Sequence, residues 1–177
     1  MRLFWERGYA ATSIQDVVDA SGVNRASLYG TFGDKPRLFV AAIDHYVAKI
    51  SAQRLDILRR AGPAKPAIRD YFEQMIAFAQ GEGRGLGCLL TNATVELAPH
   101  DAAIAGTLRA SLERVEAAFE ATIRMGQAQG EIPPHKDARA LACYFVTVIQ
   151  GMRVLMRARA DESMLRDVVR TALEALA

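Results

Sequence analysis

Apolar residues recur every three to four positions along most of this chain. Ile68, Phe72, Met75, Ile76 and Ala79 do so over residues 67–80. Leu108, Leu112, Val115, Phe119 and Ile123 mark one stripe of a longer stretch opened by Asp101, and Leu165, Val168, Val169, Ala172, Leu173 and Leu176 mark another near the end. That period predicts amphipathic helices. The punctuation between them agrees: "AGPAKP" (61–66), "GEGRGLG" (81–87) and "QGEIPPH" (129–135) are breakers and loops. Nearer the start, a helix over residues 2–8 closes at Gly8. Thr12, with Gln15 three residues on, reads as the capping box of a second helix, which stops at Gly22. Asn24 caps a third helix running to about Phe32, with Gly33 after it. Asp34 caps a fourth, with Pro36 in its first turn, reaching about Arg60. "CLLTNATVELA" (88–98) predicts a short helix stopped at Pro99. Asp137 caps an apolar helix to about Ala160, and Ser163 or Asp161 caps the last. The expectation is an all-α chain of about nine helices, without strands or internal repeats.

Composition sharpens this only in places. A length of 177 residues with 51% hydrophobic and 24% charged residues suits a globular chain with a real core. The net charge of +2 does not announce nucleic acid. Within residues 1–47, Arg2, Arg7, Arg25, Lys35 and Arg37 are balanced by Glu6, Asp16, Asp19, Asp34 and Asp44, so any contact with DNA must be local. Cys88 and Cys143 form no metal-binding spacing, and His45, His100 and His135 are scattered, so neither a disulfide framework nor a metal site is expected. "GEGRGLG" lacks the register and lysine of a phosphate loop. No uninterrupted apolar run reaches membrane length, and charges at Arg2, Glu6 and Arg7 break any leader-like core, so a cytoplasmic address is expected. The best pair for an enzyme would be Cys88 with Glu96, which has no histidine near it in sequence. No catalytic residue and no cofactor are therefore assigned.

The stretch "GVNRASLYGTFGDK" (22–35) carries the most chemistry. "SGVN" joins helices two and three with four residues and a glycine, the connection of a helix-turn-helix. At about 100° per residue, Leu28 and Phe32 share a face that buries against helices one and two. Ala26, Ser27 and Gly30 lie opposite, small enough to let the backbone approach base edges in a major groove that just admits a helix. Arg25, at the helix start, has the donors to hold a guanine by two hydrogen bonds. Tyr29 reaches a phosphate or a thymine methyl. Thr31 and Lys35 can hold phosphates, Lys35 at a helix N-terminus.

Position by position, "GYAATSIQDVVDASGVNRASLYGTFGDKPRLF" (8–39) resembles the DNA-binding segment of the TetR family of bacterial repressors. The match runs through Gly8, Tyr9, Thr12-Ser13, Val17-Val18, Gly22-Val23, Leu28-Tyr29, Phe32, Lys35 and Leu38. More loosely, "GCLLTNATVEL" and "QGMRVLMRA" look like the ligand-binding half of one branch of that family. The resemblance implies a three-helix reading head over residues 1–46 and a helical ligand-binding and dimerisation domain over 47–177. It adds Thr12, Ser13, Gln15 and Asn24 to Arg25, Ala26, Ser27, Tyr29, Gly30, Thr31 and Lys35 as expected DNA contacts. Two departures stand out. Gly30 occupies a place where many relatives carry a bulky residue, so one contact is absent or replaced by closer approach. The chain also opens in the middle of helix one, where relatives have more, often basic, residues.

For the second domain, the resemblance implies a homodimer and a small effector that releases a palindromic operator. Phe145, Ile149, Gly151, Met152 and Met156 on one helix, with Leu165, Val169, Leu173 and Leu176 on the next, are expected to form a four-helix bundle with the partner. Phe72, Met75, Cys88, Asn92, Phe119 and Phe145 are the expected pocket residues, and their mix of rings, sulfur and one amide suggests a mostly apolar effector with one polar anchor. The alternative keeps the DNA-binding role and switches it by oxidation or alkylation of Cys88, which follows a glycine loop near a helix start.

Overall fold

A computed structural model describes residues 1–158 and 161–177. The described residues are helical rods joined by short connections. The order is α1 (Arg2–Arg7), α2 (Ile14–Ser21), α3 (Arg25–Phe32), α4 (Lys35–Tyr46), a π-helical turn (Val47–Ser51), α5 (Ala52–Arg59), α6 (Ala64–Gln80), α7 (Leu89–Leu97), α8 (Ala102–Ala128), α9 (Ala138–Ala158) and α10 (Glu162–Glu174). The π turn joins α4 to α5 without a break, so the long fourth helix of the sequence reading is one rod. Its last expected residue, Arg60, is the extended C-cap. The tail of the helix expected to reach Ala160 lies outside the described residues.

The caps explain the boundaries. Asn24, Asp34, Asp101 and Asp161 each accept hydrogen bonds from backbone N–H groups of the first turn that follows, and Asp137 does the same for the N–H groups of Arg139 and Ala140. Two expectations shift. α6 starts at Ala64 rather than beyond Pro66, because a proline inside the first turn loses no helical bond. α2 is capped one residue later than expected. Ser13 accepts from the Asp16 N–H at 3.1 Å, and the Asp16 carboxylate accepts from the Ser13 N–H at 2.7 Å.

Two apolar cores result. The larger joins α5, α6, α8, α9 and α10 around Phe72, Phe119 and Phe145, whose ring centroids are 5.6–6.3 Å apart. The second packs Phe4 and Trp5 of α1 and Phe39, Ile43 and Tyr46 of α4 onto Leu89, Leu90 and Ala93 of α7 and Ile104 and Leu108 of α8. It therefore crosses the expected boundary near residue 46 and locks the N-terminal helices to the body. Among the described residues, α9 alone is long and apolar enough to cross a bilayer by length and composition. Here its Phe145, Ile149 and Met152 are turned into the core.

Candidate nucleic-acid interface

α2 and α3 meet across a turn that the sequence dictates closely. Gly22 takes φ 70°, a left-handed conformation that suits glycine, and its N–H closes on the Val18 carbonyl at 2.9 Å. Asn24 then starts α3 by accepting from the Ser27 N–H at 2.8 Å. Leu28 is the buried anchor of α3, and Phe32 is half-buried beside it. The main packing partners of α3 are α2 and α4, while α1 packs on α7 and places Phe4 against Phe39 of α4.

The other face of α3 is open. Arg25, Ala26, Ser27, Tyr29, Gly30 and Thr31 are all exposed, and a Cβ added at Gly30 would meet nothing within 4 Å. The Arg25 guanidinium donates to Gln15 Oε1 at 3.2 Å, so the start of α3 and an exposed residue of α2 face the same solvent. Ser13 is exposed at the head of α2. Hydrogen bonds from the Ser13 hydroxyl and then its backbone, with Arg7 3.1 Å away, hold the Asp16 carboxyl below the usual carboxylate range. Lys35 sits half-buried at the start of α4 with Nζ 4.3 Å above the Tyr9 ring, which presents its charge at one edge of the face.

Thr12 does not join this surface. It is fully buried, and its hydroxyl donates to the Gly8 carbonyl at 2.7 Å. Two neighbouring hydroxyls competed for one cap. The inward one closes the turn, and the outward one, Ser13, caps α2.

Helix α1 and the turn after it are tied to the body by contacts that the sequence did not reveal. Glu96 of α7 accepts the backbone N–H groups of Tyr9 (3.0 Å) and Ala10 (2.7 Å). Arg157 of α9 reaches the Leu86 carbonyl at 3.1 Å and, at 3.5 Å, those of Trp5 and Glu6. Trp5 stacks on Phe78 of α6 and meets Tyr46 edge-on. Glu96 is thus engaged in capping a turn of the head. Cys88 lies in a separate network, fully buried with the Tyr46 hydroxyl 3.4 Å from its sulfur.

In the body, Phe72, Met75, Phe119 and Phe145 come together as expected, but as solid core with at most 2% exposure. Asn92 is elsewhere, donating to the Leu86 carbonyl at 3.0 Å beside an open groove. A more enclosed cavity of about 160 Å³ lies beside the aromatic core, between the π turn, α5, α6, α8 and α9. Arg153 of α9 lines it at 5% exposure, hydrogen-bonded to Tyr71 and within electrostatic reach of Cys88 and Tyr46. Burial alone would push the Cys88 thiol up; the Arg153 guanidinium, then hydrogen bonds from Tyr46 and Thr91, bring it below its ordinary value. Burial pushes the Tyr46 phenol far up.

Most of the expected dimer residues are covered by their own chain. Phe145, Ile149, Met152 and Met156 of α9, Leu165 and Val169 of α10 and Leu176 in the turn after it are at most 4% exposed within a single chain, so their apolar area already lies in its own core. Leu173 is half-buried. A neighbouring stripe of α9 remains uncovered: Tyr144 is 41% exposed, Val154 52% and Leu155 38%, with Thr147 and Gly151 between them. Of the expected residues, Gly151 does lie on this outer stripe, and a Cβ there would meet nothing within 4 Å.

Comparison with known proteins agrees with this anatomy at both ends. The family described as "Bacterial regulatory proteins, tetR family" matches residues 1–42, and the one described as "Tetracyclin repressor-like, C-terminal domain" matches residues 64–172. The chain is 33% identical to the HTH-type transcriptional repressor ComR of Escherichia coli, over 98% of this chain and 83% of that protein. It is 31% identical to the HTH-type regulator YezE of Bacillus subtilis, over 99% of this chain and 91% of the relative. Among solved structures, a cysteine mutant of the regulator CifR in complex with a 26-bp double-strand operator superposes with a TM-score of 0.89. It is 29% identical and covered over 98% of this chain and 91% of that one. Reduced E. coli NemR, at 16% identity, shares the fold with a TM-score of 0.90 over 99% of this chain and 92% of that one.

Proposed function

The chain belongs to the TetR family of bacterial transcriptional regulators, and we propose that it is a homodimeric repressor that holds a palindromic operator through α3 of each protomer. It is a ligand-responsive DNA-binding regulator, and the reading extends this to particular residues. The observation that carries it is the uncovered face of α3, where Arg25, Ala26, Ser27, Tyr29, Gly30 and Thr31 have no partner element over them while Leu28 anchors the helix from behind. Arg25 reads a base edge, and Gly30 lets the backbone come close. Ser13, Gln15, Asn24 and Tyr29 flank the contact, and Lys35 serves the phosphate backbone. The head over residues 1–46 is the reader, and residues 47–177 are the sensor and dimer module.

The dimer forms through the outer stripe of α9 with α10 beside it. Tyr144, Gly151 and Leu155 recur at the spacing of a helix-pairing seam, and a glycine without neighbours lets two such helices approach closely. Two heads joined this way sit about one DNA turn apart, ~34 Å, and read an inverted repeat. The effector is small, with a mostly apolar body. It acts by favouring a spacing of the heads that the operator does not accept, and full release needs a preference of about 10⁴ between the two states. The place of action is the cytoplasm, and the role requires binding without turnover.

Selection of duplexes from a random library by the purified chain tests this. Enrichment of an inverted repeat, bound by two protomers with an affinity that falls steeply with salt, is the expected result. Recovery of no symmetrical sequence would overturn the reading.

A further inference from the structure

We propose that the effector carries a carboxylate, which is held by Arg153 inside the enclosed cavity, on a compact body of about six carbons. This rests on the regulator reading above and names the chemical class of its ligand.

Arg153 is a buried cation with no Asp or Glu partner among the described residues; its polar surroundings are the Tyr71 and Tyr46 phenols and the Cys88 thiol. Among the described residues it makes no ion pair, and its Nε–H finds no hydrogen-bond acceptor. One turn back on α9, the buried Nε2 of Gln150 likewise lacks an acceptor. A buried charge left unpaired is costly, and a buried donor without an acceptor adds to that cost. Such an arrangement is retained where something else supplies the oxygen atoms.

The cavity is made to bring them in. Its lining holds three arginines (Arg153 within, Arg59 and Arg114 exposed) and no Asp or Glu. Ser51, Ser111 and Tyr71 add hydroxyl groups, while Leu55, Leu90 and Val115 give it apolar walls. A planar guanidinium binds a carboxylate through two parallel hydrogen bonds, a geometry that a neutral amide does not reproduce. The volume of about 160 Å³ sets the size. A cavity of ~150 Å³ accepts a benzene ring, so one ring or a short branched chain fills this one.

The site is also well placed to act on the head. It is lined by the π turn of the rod that carries the head and by Leu90 of α7. α7 also carries Glu96, which caps the head's first turn.

The experiment uses the full chain and three acid–amide pairs: benzoate with benzamide, cyclohexanecarboxylate with its primary amide, and hexanoate with hexanamide. Binding is measured by calorimetry and thermal shift for the wild type, Arg153→Met and Arg153→Gln. At least one acid is expected to bind tenfold or more tightly than its amide, and both substitutions should reduce that preference to less than about twofold. Equal binding of acids and amides, no binding by any acid, or a preference that survives both substitutions would overturn the proposal. If neither variant folds, anomalous scattering from bound 4-bromobenzoate in the wild type decides, by placing the carboxylate at Arg153 or elsewhere. Operator binding without acid is measured in parallel. Its loss would strike the regulator reading alone, whereas normal operator binding with no acid preference would strike this one.

Discussion

Replacing Glu96 with alanine should loosen the head from the body without unfolding either. The carboxylate accepts two backbone N–H groups, from Tyr9 at 3.0 Å and from Ala10 at 2.7 Å. Hydrogen bonds to a charged group contribute about 1.5–3 kcal/mol each when water cannot replace them. The Ala10 bond is exposed, so water substitutes there and its loss counts for little. The Tyr9 bond is part-buried and retains most of its worth, so a loss of about 1.5–3 kcal/mol is expected. For a chain of this length each kcal/mol corresponds to roughly 2–4 °C, which gives a fall in Tm of about 3–12 °C. Hydrogen exchange should accelerate first at the amides of Tyr9 and Ala10, with the aromatic core of the body unaffected. Glu96→Gln, which keeps one acceptor, should fall between the two proteins. If Glu96→Ala melts within 1 °C of the wild type and those two amides exchange at the old rate, Glu96 is not the tie described.

Arg25→Ala should cost about 1–3 kcal/mol on the selected operator and relax the preference at one base pair per half-site, read by binding to single-base variants; equal losses on random DNA would exclude a base contact. Leu155→Glu should yield monomers by sedimentation with the helical signal intact, whereas Phe145→Ala should cost about 3–5 kcal/mol of folding stability because its ring is buried within one chain. Thr12→Val should lower stability by about 1 kcal/mol through loss of the bond to the Gly8 carbonyl, and leave operator affinity at equal folded protein unchanged.

What was legible in the sequence was what is decided locally. Asn24, Asp34, Asp101, Asp137 and Asp161 cap helices because a short acceptor next to a first turn suffices, whatever lies further off. The reading head was visible for the same reason, being almost entirely turn chemistry and one anchored helix. What escaped depends on depth. Thr12 and Ser13 are chemically alike, and only the approach of α1 decides which points inward. Phe145, Ile149 and Met152 form as good a stripe as Tyr144, Gly151 and Leu155, one residue round the helix. Periodicity shows that a helix has an apolar side, not whether its own chain or a second one covers it. Arg153 did leave a signal, a lone cation between Met152 and Met156 in an apolar helix, but its unsatisfied Nε–H is a fact of three dimensions.

The π turn at Val47–Ser51 has a consequence for the evolution and engineering of the rod. A wide turn of this kind takes up one surplus amino acid while the helix on either side keeps its phase. Deleting a single residue there should leave Phe39 and Ile43 above it, and Leu55 and Leu58 below it, pointing where they point now. The same deletion anywhere else between Lys35 and Arg59 would swivel one half against the other by about 100° and drag α3 off its bearing. Length variation among natural versions of this rod should therefore gather at that turn.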